Sequence, residues 1–222
     1  NKITYERQIK LIEPLTYMME HGIKIDLEGM QKAQNNNRYK TIELEKEINK
    51  LIPGVNINSP KQVMEYFYTT RKIKPYIKNG KITVNENALK HLSSRGFREA
   101  SIILELRKLN KQYSTFLNLE KVDIDGRIRC SYNVVGTKFS RISSSQNIFG
   151  TGMNLQNVPH EVFTYFIADS GYIIYELDYS QYENRIVAYV GNIPQMIEVF
   201  ENNLDSHKMT ASLILSIMGK PT

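Results

Sequence analysis

Apolar residues recur at every third or fourth position over most of the first 120 residues, which is the period of helices packed on one face. Ile9, Ile12, Leu15 and Met19 predict a helix over 5–20. Pro14 falls inside it, and a proline removes a backbone donor and crowds the preceding turn, so the helix is expected to kink or divide there. In "HGIKID", Gly22 closes that helix, a short extended piece follows, and Asp26 is placed to cap the next one. Residues 27–52 predict a long helix with Met30, Ala33, Leu44, Ile48 and Leu51 on its apolar face. Asn37 and Thr41 interrupt that face at the same spacing, the mark of an arm buried along only part of its length. Ser59 and Pro60 suit the N-cap and first position of a helix running through Met64, Phe67 and Tyr68. Two more helices are predicted, over 86–94 and 99–119. The second carries Ile102, Leu106, Leu109, Tyr113 and Phe116 on one face and Arg107, Lys108 and Lys111 on another.

The pattern changes after about residue 120. "KVDIDGRIRCSYNVV" sets an Asp-Gly turn between extended runs and predicts a hairpin. The stretch from Gly136 to Pro159 is rich in Ser, Asn and Gly and reads as a long loop. "YFIADSGYIIYELDYS" predicts two strands around Asp169-Ser170-Gly171. A helix begins near Tyr182, and a last one runs from Ser206 towards Met218. The expected fold class is therefore α+β, with a mainly helical part over 1–120 and a mixed part with an antiparallel sheet over 121–222.

Composition narrows the classes without choosing one. With 222 residues, 41% of them hydrophobic, the chain is an ordinary globular protein of one or two domains. It has no apolar run of the length a membrane helix needs, so a soluble protein without a membrane partner is expected. The single cysteine, Cys130, cannot form an internal disulfide, which fits a reducing cytoplasm. Twenty-nine Lys and Arg against 23 Asp and Glu leave a net charge of +6, a balance that favours a polyanionic partner. Arg71, Lys72, Lys74, Lys78 and Lys81 form a basic run without an acid and read as a solvated surface loop. No His/Cys cluster, phosphate-binding Gly-Lys loop or nucleophile elbow occurs. The chain starts at Asn and stops at "MGKPT", and reads as a piece of something longer.

The densest candidate chemistry lies in "LDYSQYENR", residues 177–185. Taken alone, Asp178 at the end of an apolar run reads as a turn-forming aspartate. Ser180-Gln181-Tyr182-Glu183 has the spacing of a helix capping box.

More than local structure is implied by the order of motifs. "SRISSS" with "NLQNVP", then "LDYSQYENR", then "DSHKMTA" occur in the order and near the spacing of family A DNA polymerases, and "EHGIKID", "VNINSPKQV" and "LRKLNKQYST" resemble the thumb of that family. The resemblance covers nearly the whole chain. It implies a helical thumb over 1–120, with its first helix against the palm, and a palm over 121–222 that includes motif A and the start of the fingers. It implies that Asp178 is the catalytic aspartate and, with the carbonyl of Tyr179, holds Mg²⁺ in a two-metal site completed by a carboxylate absent from this chain. Gln181, Glu183 and His207 match positions around the incoming deoxynucleoside triphosphate, where Glu183 would exclude a 2′-hydroxyl. Arg185 matches an arginine that orders the palm. Arg141, Asn154, Gln156 and Asn157 match positions near the minor groove and backbone of primer–template DNA. Asn56, Asn58, Ser59, Arg107, Lys111, Ser114 and Thr115 match thumb positions that meet the duplex, and the amides at the Ser59 helix start suit a phosphate. Lys108 is left as a solvated lysine. Tyr182 and Asn184 depart from the family's commoner Ile and Leu, and bear on how tightly the sugar pocket closes.

The implied function is template-directed DNA synthesis, in replication or repair, in the cytoplasm of a bacterial or phage-infected cell. The fingers and second carboxylate motif would lie in further sequence or in a second chain, so this chain alone is expected to be inactive. Two alternatives stand beside it. One is a polymerase-derived DNA-binding subunit without catalysis. The other is a single-subunit RNA polymerase relative, which Glu183 opposes.

Overall fold

The structure, a computed structural model, describes residues 2–217, with the side chains of Ser206, His207, Leu213 and Ile217 outside that description. The chain divides into two compact units, Asn1–Ile173 and Ile174–Thr222.

The first unit opens with α1 (Lys2–His21), which runs through Pro14 without the expected division. Pro14 and Lys10 are both exposed, so water can take the Lys10 carbonyl that loses its helical donor. Gly22 ends the helix at φ +64, where a Cβ would lie 2.6 Å from Cγ of Arg129 and 2.8 Å from the Ile128 carbonyl, so only glycine fits. β1 (Ile23–Ile25) follows, and then α2 (Leu27–Leu51), capped as expected by Asp26, whose side chain accepts from the Gly29 amide at 3.0 Å.

Beyond α2 the chain builds a helical tip. Ser59 accepts from the Gln62 amide at 3.4 Å and starts α3 (Pro60–Met64), which continues as a π-helical turn over Glu65–Thr70. The basic run expected to be a loop contains a small hairpin, β2 (Ile77–Lys78) with β3 (Lys81–Ile82). α4 (Glu86–Ser94) and α5 (Arg98–Gln112) come next, and α5 passes into a π-helical turn over Tyr113–Leu117. Ile48, Ile52, Val63, Phe67, Leu89, Leu92, Ile102, Ile103 and Leu106 close one core in this tip.

A second core lies at the base, around Ile25, Met30, Phe116, Leu117, Ile128, Met153, Val158 and Val162. α2 serves both cores, as does α5 together with the π-helical turn that continues it, which accounts for the interrupted apolar face of α2. Asn37 lies between the two cores and is only 5% exposed. It is buried because it is bonded: its amide donates to the Leu109 carbonyl at 3.2 Å and to Oε1 of Gln112 at 3.3 Å, stitching α2 to α5.

The base is organised by β1, the middle strand of an antiparallel sheet between β4 (Arg127–Ile128) and β7 (Phe166–Ile167). Ile23 stands opposite Ile128 and Ile25 opposite Phe166. The Asp125–Gly126 turn is present, with the Gly126 amide donating to the Asp123 carbonyl at 2.9 Å, but the predicted hairpin is not. Leu119–Lys121 form a 3₁₀ turn instead of a strand, and β4 takes β1 as its partner. The predicted long loop is also more ordered than its composition suggests: β6 (Ser143–Ser145) pairs with β5 (Ser131–Asn133), a 3₁₀ turn covers Leu155–Asn157, and α6 (His160–Phe163) leads to β7.

Charged side chains clamp the end of α1. Arg129 donates to the Glu20 carbonyl at 2.7 Å and pairs with Asp123 at 2.7 Å and Asp125 at 2.6 Å. Arg127 pairs with Asp169, which His21 approaches at 3.3 Å.

The second unit contains α7 (Tyr182–Val190), α8 (Pro194–Glu201) and α9 (Ser206–Ile217). α7 and α9 were expected; α8 was not. The second strand predicted after Gly171 does not form. Residues 173–179 have no regular structure, and Tyr172, Ile173, Ile174, Tyr175 and Leu177 are all exposed. A strand needs another strand for its backbone groups, and no described residue pairs with this stretch.

Candidate nucleic-acid interface

A cleft of about 440 Å³ opens in the first unit where the end of α5 faces the 3₁₀ turn Leu155–Asn157 and the start of α6. Lys111 and Thr115 line one wall because they are one helical turn apart; Asn154, Asn157 and Pro159 line the other, and Phe116 contributes from the base core. The opposite wall is held by its own bonds. Oδ1 of Asn154 accepts from the Gln156 amide at 3.0 Å and from the Ser144 hydroxyl at 2.6 Å, so the turn is tied to β6. The side-chain amide of Gln156 donates to the Ile142 carbonyl at 3.0 Å. Residues some 39 to 46 positions apart in the sequence, from Thr115–Asn154 to Lys111–Asn157, thus meet around one cavity whose walls offer ammonium, hydroxyl and carboxamide groups, a set suited to phosphate and to base-edge acceptors.

Among the lining residues that were not predicted contacts, two are charged. Lys108, read as a solvated lysine, faces the cleft, and its signal was the three-residue spacing to Lys111. Glu161 brings an acid to the rim. It sits on α6, an element the sequence did not disclose.

The other predicted positions have different surroundings. Arg107 is half-buried and donates to the Val84 carbonyl at 2.8 Å, tying α5 to the residue before the Asn85 cap of α4; burial pushes its pKa down, though a guanidinium stays charged. With Lys108 and Lys111 it lines a second groove of about 690 Å³, which also carries Glu86, Lys90 and Glu105. Ser114 is exposed, with its hydroxyl at 3.4 Å from the Lys111 carbonyl. Arg141 is exposed, and the Thr137 hydroxyl holds its backbone amide at 2.8 Å. Asn56, Asn58 and Ser59 lie together in the loop before α3, where Oδ1 of Asn56 accepts from the Asn58 amide at 2.9 Å.

The carboxylate segment belongs to the second unit. Asp178 is exposed and makes no hydrogen bond or ion pair among the described residues, and no group of three His, Cys, Asp or Glu side chains there could hold a metal ion. Tyr179 is exposed and its ring lies 5.4 Å from that of Tyr182. The predicted capping box is not formed: Gln181, at φ +53, is the residue that enters α7, and no side chain caps the helix. Arg185 instead donates from Nε to the Ser180 carbonyl at 3.0 Å and lies 4.8 Å over the Phe200 ring, joining the turn to α8. Glu183 is exposed in the first turn of α7. His207 falls at the start of α9, with its side chain outside the described residues.

Among the described residues no helix is long and apolar enough to cross a membrane. A model of the family described as DNA polymerase family A matches residues 27–220. DNA polymerase I of Rhizobium leguminosarum is 30% identical over 226 residues, covering 96% of this chain and 22% of that protein. DNA polymerase I of Chloroflexus aurantiacus is also 30% identical, over 229 residues, covering 96% of this chain and 24% of that protein. Among solved structures, the POL domain of Pol1 from M. smegmatis in complex with DNA primer-template and dNTP superposes with a TM-score of 0.78 at 26% identity, covering 93% of this chain and 37% of that chain. The chain thus spans about a quarter of the length of these curated relatives. Motif order, an α+β fold with small antiparallel sheets, and a match across residues 27–220 agree, and the chain belongs to DNA polymerase family A.

Proposed function

We propose that this chain is the thumb, over 1–120, and the first part of the palm with the start of the fingers, over 121–222, of a template-directed DNA polymerase that replicates or repairs DNA. The observation that carries this reading is the cleft: Lys111 and Thr115 from one motif and Asn154 and Asn157 from another, all matched to DNA-contacting positions, line the same cavity. Its donors would hold primer–template DNA without regard to sequence, with an affinity that falls as salt rises. Arg107, Ser114, Arg141 and Gln156, and the Asn56–Ser59 loop, would extend the contact along the duplex. Arg107 would act mainly by bracing α5.

Asp178 and the Tyr179 carbonyl supply hard oxygen ligands of the kind Mg²⁺ takes. They fit one side of a two-metal site and leave its other carboxylate to come from further sequence or a second chain. When bound, the metal pair supplies charge neutralisation for phosphoryl transfer. Gln181, Glu183 and His207 would face the incoming deoxynucleoside triphosphate, with Glu183 rejecting a 2′-hydroxyl. Residues 172–178 would become a strand once a partner strand is supplied. This chain alone would not extend a primer, and the working enzyme would be a cytoplasmic one.

Primer extension with Mg²⁺ and four deoxynucleotides tests this, comparing the chain alone, the completed protein, and the completed protein carrying Asp178→Ala. Extension by the completed wild type alone, reduced by at least about 100-fold in the variant, is the expected result. A completed protein that binds primed DNA and never extends it would be a non-catalytic subunit, and a preference for ribonucleotides would place it with RNA polymerases.

A further inference from the structure

Residues 146–151 form a turn that is bonded to itself and carries two apolar side chains outward. Asn147 does most of the bonding: its amide donates to the Thr151 carbonyl at 3.1 Å, its Oδ1 accepts from the amides of Phe149 at 3.0 Å and Thr151 at 3.1 Å, and its Nδ2 donates to Oγ1 of Thr151 at 2.7 Å. The Gly150 amide returns to the Asn147 carbonyl at 3.2 Å, and the Gln146 side chain donates to the Gly150 carbonyl. The stem is anchored as firmly. Thr151 donates to Asp123 at 2.7 Å, and at Gly152 a Cβ would lie 2.0 Å from the Arg129 carbonyl oxygen. Met153, 2% exposed, sits in the base core. On this scaffold Ile148 and Phe149 are 88% and 83% exposed. A slack loop could fold them inward; a turn closed by six hydrogen bonds holds them out.

Three observations choose what they meet. First, both stems run into the wall of the cleft, since Ser144 before the turn and Asn154 after it are bonded to each other at 2.6 Å. Second, no acidic residue occurs from Gly126 to His160, while Lys138 and Arg141 precede the turn. Asp123, the acid that holds the stem, is paired with Arg129 at 2.7 Å. Such a segment suits a polyanion. Third, the tip itself has no side-chain donor, so it gains nothing from phosphate; an aromatic ring and a branched aliphatic chain gain from base faces, by stacking or by wedging into a base step.

We propose that the Ile148–Phe149 tip is an apolar wedge that packs against the bases of nucleic acid held in the neighbouring cleft. The proposal rests on the reading of that cleft as a DNA interface. It separates two jobs: the cleft holds the backbone by charge, and the tip marks a position along the duplex by shape.

The test uses the completed protein and primed DNA carrying 2-aminopurine at successive base pairs from the primer end. The expected result is a fluorescence change at one or two adjacent positions, lost in Phe149→Ala and kept in Phe149→Tyr. Phe149→Ala should weaken binding by about tenfold at every salt concentration and leave the slope of affinity against salt unchanged. Lys111→Ala should lower that slope by about one. Wild-type affinity and wild-type fluorescence in an Ile148→Ala, Phe149→Ala double variant would overturn the wedge while leaving the cleft reading intact. Failure of the wild type to bind primed DNA with any salt dependence would overturn both.

Discussion

The helical tip and the stretch leading to Asp178 are both rich in apolar residues, yet they end up in opposite states. In the tip, Phe67, Leu89, Ile102 and Ile103 are fully buried. In the stretch Tyr172–Tyr179, Tyr172, Ile173, Ile174, Tyr175, Leu177 and Tyr179 are between 55% and 92% exposed. Hydrophobicity is therefore not what separates them. A helix satisfies its backbone within itself and needs only a face to pack on, which α4 and α5 provide for each other. A strand has no internal partner, so an extended apolar run stays exposed until another strand pairs with it. The candidate metal aspartate sits at the end of the segment that most depends on pairing from elsewhere.

The contrast makes a large and a small effect easy to place. Phe67→Ala removes a fully buried ring from the tip core and should cost about 3–5 kcal/mol in urea unfolding. Tyr175→Ala in this chain should stay within about 0.5 kcal/mol, because the side chain is exposed. If the proposed strand forms in the completed protein, the same Tyr175 change should cost about 2 kcal/mol or more there, and an equal, negligible cost in both would break the strand proposal.

Between these lies the stitch joining the two cores. Asn37→Ala removes both hydrogen bonds that this buried side chain makes from α2 to α5, although the Leu109 carbonyl keeps the Tyr113 amide, and should cost about 1–3 kcal/mol, measured by the same unfolding transition. An effect near zero would mean that α2 and α5 are held by their apolar ends alone.

The smallest effect concerns pH. Arg127, and after it His21, hold the Asp169 carboxyl below its ordinary value of 3.8, and Arg129 does the same for Asp125. A lowered folded-state pKa contributes stability that is present above the unfolded value and is lost as pH falls through the folded one. The unfolding midpoint of the first unit should therefore drop below about pH 3.8, and Asp169→Asn should lower it at neutral pH and flatten that acid-side fall. A midpoint independent of pH across that window would show that the clamp on α1 is decorative.

Much of the helical part was legible because its signals are local. The caps at Asp26 and Ser59, the end of α1 at Gly22 and the arm read over 27–52 and found over 27–51 were all legible from neighbours a few residues apart. Signals that depend on a distant partner were misread. The Asp125–Gly126 turn suggested a hairpin, but β4 pairs with β1, about 100 residues earlier. Ser180 and Glu183 had capping-box spacing, but Arg185 bonds the Ser180 carbonyl and Gln181 enters the helix instead. Asn37 looked like a break in an apolar face and is a buried hydrogen-bonding residue. Of the candidate site, the identities of Lys111, Thr115, Asn154 and Asn157 came from motif order, whereas Lys108 and Glu161 became visible only in the cleft.

The sequence by itself determined the helices of the first part, the caps at Asp26 and Ser59, the net positive charge and the family, because these depend on residue type, short spacing and the order of motifs along one chain. The tertiary structure alone decided that α5 and the Leu155–Asn157 turn share a cleft, that β1 sits between β4 and β7, and that the Ile148–Phe149 tip points outward. Those outcomes depend on backbone pairing and packing between residues tens of positions apart, and no local pattern encodes which distant partner is available.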